Sequence, residues 1–154
     1  MPHRFDRVGN GEIVLKIRPA IPSDNLVAIW REVFRADYAA LFPAGVDLPF
    51  EPRGEAWVAE ADGAPAGFSY VDGEWLDELW VSKRFQGHGI GAALVRHAES
   101  LMREAGIARA RLSVLQANLR AIALYRRLGW TESHAFQDRR SAVWNFEMTK
   151  ALSG

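Results

Sequence analysis

Three glycines stand within five positions, Gly87, Gly89 and Gly91, in the stretch FQGHGIGAALVRHAE, and the chain then runs straight into residues that favour a helix. From Gln86 to Ile90 there is no Ser, Thr, Asp or Asn to cap that helix. A glycine-rich turn between a strand and a helix leaves several backbone N–H groups unpaired at the positive end of the helix dipole. Such a place suits an anion, and phosphate best of all. Gly89 and Gly91 would let a ligand approach the backbone where a Cβ would collide, and Gly87 suits a turn with positive φ. The plainer alternative is a tight turn with no ligand; the missing cap favours the ligand.

Two familiar phosphate sites are excluded. Gly87, Gly89 and Ala92 match the spacing G-x-G-x-x-A, but no Asp or Glu follows in the run Ile-Ala-Arg-Ala-Arg-Leu at 107–112. With 85 residues before the motif, largely antiparallel in pattern, there is no room for a doubly wound sheet. No G-x-x-x-x-G-K-[ST] occurs either.

The remaining composition narrows the class. With 154 residues, 49% hydrophobic, the chain can build one core. Lys and Arg number 19, equal to Asp and Glu, so neither a nucleic-acid footprint nor a polybasic membrane anchor is expected. No cysteine is present, which removes disulfides, thiolate metal sites and a cysteine nucleophile. The start MPHRFDRVGNGE has no apolar signal core, and no apolar run reaches the roughly 18 residues of a membrane span. The expectation is a cytoplasmic protein of one domain over residues 1–154, with a flexible start of about ten residues.

Hydrophobic periodicity orders the elements. Glu12 to Arg18 reads as a strand; a helix over 23–34 follows, capped by Ser23 or Asp24, with Leu26, Ile29, Trp30, Val33 and Phe34 on one face. A short helix over Asp37 to Leu41 and a proline-bearing loop from Phe42 to Arg53 come next. Two runs around Asp62-Gly63 predict a hairpin, and Glu74 to Val81 a further antiparallel strand across Asp72-Gly73. A helix from Ile90 stopped by Gly106, the strand RARLSVL, a helix closed by Gly129 and two last strands complete a mixed α/β sheet.

The pattern LWVSKRFQGHGIGAALVRHAE resembles the acetyl-CoA binding motif Q/R-x-x-G-x-G/A of the GNAT N-acetyltransferase superfamily, filled by Gln86, Gly89 and Gly91. LSVLQANLRAIALYRRLGW is similar to the family's later motif, with Asn118, Tyr125, Gly129 and Trp130 in place. The close resemblance covers residues 74–131. It implies a GNAT-type fold with an antiparallel N-terminal half and a bulged, splayed central strand. It also implies that backbone from Gln86 through Gly87, His88, Gly89 and Ile90 to Gly91 holds the pyrophosphate of acetyl-CoA, while Leu79, Trp80 and Val81 pair with the pantetheine arm. Asn118 would meet the pantetheine or acyl region, and Tyr125 would protonate the departing thiolate.

Acetyl transfer from a thioester to an amine needs a deprotonated nucleophile, a polarised carbonyl, a protonated leaving group and a fixed approach. Tyr125 is the expected acid, although Ala121, Leu124, Tyr125 and Leu128 also form a core-facing stripe; Asn118 could serve as N-cap, ligand contact or both. For the base, Glu78 is favoured over Asp77, Glu74 or water, with Asp77 and Glu78 on opposite faces of their strand. From Glu55 to Ser82 there are seven acids and no Lys or Arg, whereas Lys83 to Arg127 holds nine bases and two acids. The basic half surrounds the expected phosphates, and the acidic half would attract a cationic amine. Trp30, Phe34, Tyr38, Phe68, Tyr70, Trp75 and Trp144 cluster around the same cleft by this topology, most of them as core; a few on the acceptor side would favour an amine with an apolar or aromatic body. No H-x-x-x-H pair suggests a metal, and Ser69 lacks a G-x-S-x-G frame. The reading is therefore direct attack by an amine in a ternary complex, with no acyl-enzyme, in a protein that could pair as a homodimer. A non-catalytic acyl-CoA sensor on the same fold is the alternative, and an NAD(P)H oxidoreductase a more distant one.

Overall fold

Short runs of alternating residues, cut by two-residue turns, build the first half of the molecule. The computed structural model describes residues 4–8, 13–43 and 49–152. Its strands are β1 (Arg4–Val8), β2 (Ile13–Pro19), β3 (Glu55–Ala61), β4 (Ala64–Asp72), β5 (Trp75–Val81), β6 (Arg109–Leu115), β7 (Thr131–Gln137) and β8 (Trp144–Ala151). They form one eight-stranded sheet in the order β1-β2-β3-β4-β5-β6-β8-β7. All neighbours are antiparallel except β5 and β6, which run parallel. This is the mixed sheet with an antiparallel N-terminal half that the sequence predicts.

Turn chemistry explains the hairpins. Asp62 and Gly63 both have positive φ, 51° and 84°, the geometry of the two-residue turn that matches strand twist. The next hairpin turns at Gly73 and Glu74, one residue later than expected, because Asp72 is already paired with Trp75. The first ten residues, expected to be flexible, include a strand that pairs with β2 from Val8↔Ile13 to Arg4↔Ile17. A five-residue edge strand depends on the neighbour it pairs with, so its own pattern carries little signal. Glu12, expected to open the next strand, and residues 44–48 of the proline-bearing loop lie outside the described residues.

Two helices cover opposite faces of the sheet. Val58 and Phe68 pack with Leu26 of α1 (Leu26–Val33), while the alternate residues Ala59 and Ala61 pack with Ile90 and Leu94 of α2 (Ile90–Glu104). A further cluster joins Val95, Ala98 and Met102 of α2 to Ile122 and Tyr125 of α3 (Leu119–Arg127), over Leu112, Val114 and Met148. Gly106 and Gly129, both with positive φ, end α2 and α3 as expected.

The start of α1 differs from the sequence reading. Its N-cap is Asn25 in the left-handed region (φ 52°), not Ser23 or Asp24. Asp24 is committed elsewhere: it accepts from the Ile21 N–H at 2.7 Å and pairs with Arg18 at 2.7 Å. The short helix expected over Asp37 to Leu41 is a continuation of α1, which widens into a π-turn at Phe34–Tyr38 and tightens into a 3-10 turn at Ala39–Leu41. Such a widened turn re-aims side chains along a helix, and it is often found at functional sites. Among the described residues, no helix is long and apolar enough to cross a membrane.

Candidate active site

The glycine loop is braced by its side chains; the Gln86 N–H donates to the Lys83 carbonyl at 3.3 Å, and among the described residues the amides from Gly87 to Gly91 are left for a ligand. Gln86 donates from Nε2 to the Val81 carbonyl at 3.0 Å and accepts from Arg120 Nη1 at 3.2 Å. His88 Nδ1 lies 3.1 Å from the Gln86 carbonyl oxygen. Gly87 and Gly89 have φ of 82° and 80°. Gly89 caps α2, and no side chain bonds to the helix's first turn. Within the protein, a Cβ at Gly91 would sit 3.5 Å from Leu124 Cδ2, an ordinary contact. A cavity of about 380 Å³ opens over the loop, lined also by Leu79, Trp80, Val81, Arg120 and Arg127.

Beside this cavity the sheet comes apart. β5 and β6 pair at Trp75↔Arg111 alone, held by the Arg111 N–H donating to the Glu74 carbonyl at 2.8 Å. From Leu76 to Val81, β5 has no strand on that side among the described residues. Arg111 clamps the closed end, bonding to the carboxylates of Glu74 and Glu147, the latter at 2.9 Å. Glu74 is thereby placed at the paired apex and does not line the cavity where a base is needed. At the open end Asn118 accepts from the Ala121 N–H at 3.2 Å, so it is the N-cap of α3. Its Nδ2 donates to the Tyr38 hydroxyl at 2.9 Å. Sequence reasoning had no signal for that partner, because Tyr38 reaches it through the π-turn.

A second cavity, of about 260 Å³, lies against Glu78, and it shares Tyr38, Leu79, Trp80, Asn118 and Tyr125 with the first. The two spaces therefore have a common wall. Tyr70 pairs with Glu78 and Val71 with Leu76, so Asp77 is an extra residue bulged out of β5. The bulge sits at Asp77, upstream of the Leu79–Val81 stretch around which it is expected. It also interrupts the strand's two-residue alternation, and both Asp77 and Glu78 are among the residues that line this cavity. The Asp77 carboxylate accepts from the Arg53 N–H at 2.8 Å. The Glu78 carboxylate accepts from Trp80 Nε1 at 2.6 Å.

Electrostatics separate the two candidate proton carriers. Burial pushes Glu78 up from 4.5 to about 7, with Asp77 adding to the rise and the Trp80 hydrogen bond opposing it. Tyr125 is 7% exposed, and burial, followed by the proximity of Tyr38 and Glu78, raises it above its ordinary 10. It holds its proton throughout the working range.

Of the aromatics expected here, Trp30, Phe34 and Tyr38 line the second cavity, and Phe42, Phe50 and Trp80 join them. Phe68 is fully buried core and Trp144 is half exposed away from the lining; Tyr70 and Trp75 do not line it either. Phe42 and Phe50 flank the proline-bearing loop, where periodicity says nothing about facing.

Residues 24–130 match the family model described as the acetyltransferase (GNAT) family. The chain belongs to that family. It is 32% identical over 114 residues to the peptidyl-lysine N-acetyltransferase YjaB of Salmonella typhimurium, covering 70% of this chain and 75% of that protein. To the thialysine N-epsilon-acetyltransferase of Bos taurus it is 29% identical over 133 residues, 77% and 76% of the two chains. Its fold is similar to that of yncA from Salmonella typhimurium, solved with acetyl-CoA, at a TM-score of 0.67 and 16% identity over 91% and 95% of the chains. This family member is thus an N-acetyltransferase that takes its acetyl group from acetyl-CoA. The residues fit that cosubstrate: unclaimed loop amides at a helix start for the phosphates, and a gap in the sheet long enough for an extended arm.

Proposed function

We propose that Glu78 and Tyr125 carry out the transfer, with the backbone of Gln86–Gly91 and Leu79–Val81 binding acetyl-CoA and the second cavity receiving a primary amine. Acetyl-CoA supplies an acetyl group on a thioester whose sulfur departs as the thiol of CoA. An amine that arrives as a cation first passes one proton by way of Glu78 to water; Glu78 then takes the proton that the neutral nitrogen sheds as the N–C bond forms, and Tyr125 gives its proton to the sulfur as the C–S bond breaks. Exchange with water restores both groups, leaving one amide and one thiol from one amine and one thioester. A base poised near 7 is about half ionised at neutral pH and still basic enough to accept a proton. Tyr125 is a poor acid toward water, but a thiolate forming in a buried site also has a raised proton affinity, and the hydroxyl is the donor beside it.

The single observation that supports this reading is the shared wall. Tyr125 borders both cavities, and Glu78 lines the one opposite the glycine loop. The sensor alternative has no need of a second cavity carrying a carboxylate raised toward neutrality. Asn118 keeps its capping role and presents Tyr38 to the same wall. Lack of cysteine and the need for acetyl-CoA support a cytoplasmic protein. The outer strands β1 and β7 are the edges through which a second copy would pair.

Gly89→Val tests the cosubstrate site. Its φ of 80° makes a side chain cost about 1–3 kcal/mol there and distorts the loop amides. Calorimetry should record loss of acetyl-CoA binding in a variant whose circular dichroism is unchanged. Unaltered affinity would place the cosubstrate elsewhere.

A further inference from the structure

The second cavity says more about the amine than that it is primary. Resting on the acetyl-transfer reading above, we propose that the acceptor is a small free amine built on an aromatic ring and carrying no carboxylate.

Three features of the cavity lead there. Its walls are aromatic and incompletely buried: Trp30 stacks on Phe34 at 5.3 Å and on Phe50 at 5.2 Å, Phe34 stacks on Phe42 at 5.6 Å, and Tyr38 meets Trp80 edge-on at 5.2 Å. Partly buried rings gathered around a concavity leave some apolar surface for a flat partner. The size agrees. A cavity of about 150 Å³ holds a benzene ring, so the roughly 260 Å³ available takes a ring and leaves space for a short aminoalkyl arm. A linear four-carbon amine, such as a lysyl stem, leaves much of that volume unfilled.

Charge selects the other end. Asp77 and Glu78 line the cavity, and among the described residues no Lys, Arg or His does. A cationic amine is therefore drawn in, whereas a carboxylate on the same molecule would be desolvated beside two acids with no partner. That argues against free amino acids, whatever their side chain.

The test uses matched amines. CoA thiol release should show phenethylamine at least about tenfold above n-butylamine and the amide of Nα-acetyl-lysine in kcat/KM, and roughly a hundredfold above phenylalanine, which adds only the carboxylate. Trp30 and Trp80 supply a second readout: their fluorescence should respond to phenethylamine in the absence of acetyl-CoA and not to phenylalanine at the same concentration. Equal turnover of phenylalanine, or preference for n-butylamine or the lysine amide, would overturn the proposed acceptor class while leaving acetyl transfer standing. Tight acetyl-CoA binding with no thiol release to any amine would instead remove the transfer reading, and this proposal with it.

Discussion

Replacing Glu78 by Gln should disable the enzyme and stabilise it at once. The carboxyl is held near pH 7 against an ordinary 4.5 because folding takes it out of water beside Asp77. A folded-state value above the unfolded one means that the neutral form favours the fold. Stability from this group is complete below pH 4.5 and is lost as the pH rises toward 7. At about 1.4 kcal/mol per pH unit, the loss is roughly 3 kcal/mol by pH 8. Gln is neutral at every pH and keeps an oxygen to accept from Trp80, so the variant should gain up to that amount at pH 8 and little at pH 4. Urea unfolding at the two pH values measures it. The same change removes the proton acceptor, so kcat/KM should fall by about 10² to 10⁴, and the rise in activity through pH 7 should flatten. Trp80→Phe should move that rise to higher pH, since it deletes the one hydrogen bond that favours the charged form. A Glu78→Gln enzyme with wild-type activity and an unshifted pH profile would refute the base assignment; unchanged stability at pH 8 would refute the burial argument behind it.

Two further changes separate chemistry from packing. Tyr125→Phe should lower kcat by about tenfold to a hundredfold with acetyl-CoA affinity and fold retained, since no hydrogen bond to its hydroxyl is lost among the described residues; stopped-flow thiol release would check it. Lys150→Ala should cost about 3 kcal/mol in urea unfolding, because it strips the 2.8 Å partner from Glu99, whose side chain is 4% exposed. Adding Glu99→Gln should recover part of that loss.

By itself the sequence determined the local parts of this protein. Asp62-Gly63 can form a tight hairpin turn with positive φ wherever it occurs, Gly106 and Gly129 end helices by their own backbone freedom, and the glycines at 87, 89 and 91 announce an uncapped helix start in any context. Those are short-range consequences of covalent geometry, so they are readable in order along the chain. Tertiary structure decided what depends on strands meeting. The bulge at Asp77 appears only when β4 and β5 align, and it interrupts the alternation that a regular strand would impose on Asp77 and Glu78. The proton affinity of Glu78 follows from the burial that folding imposes, with Asp77 beside it adding to the rise. Likewise the π-turn that carries Tyr38 to Asn118, 80 positions away, and the Arg111 clamp at the closed end of the gap are settled by contacts between distant elements. Backbone preferences are properties of neighbours along the chain; a shared wall between two cavities is a property of the packed whole.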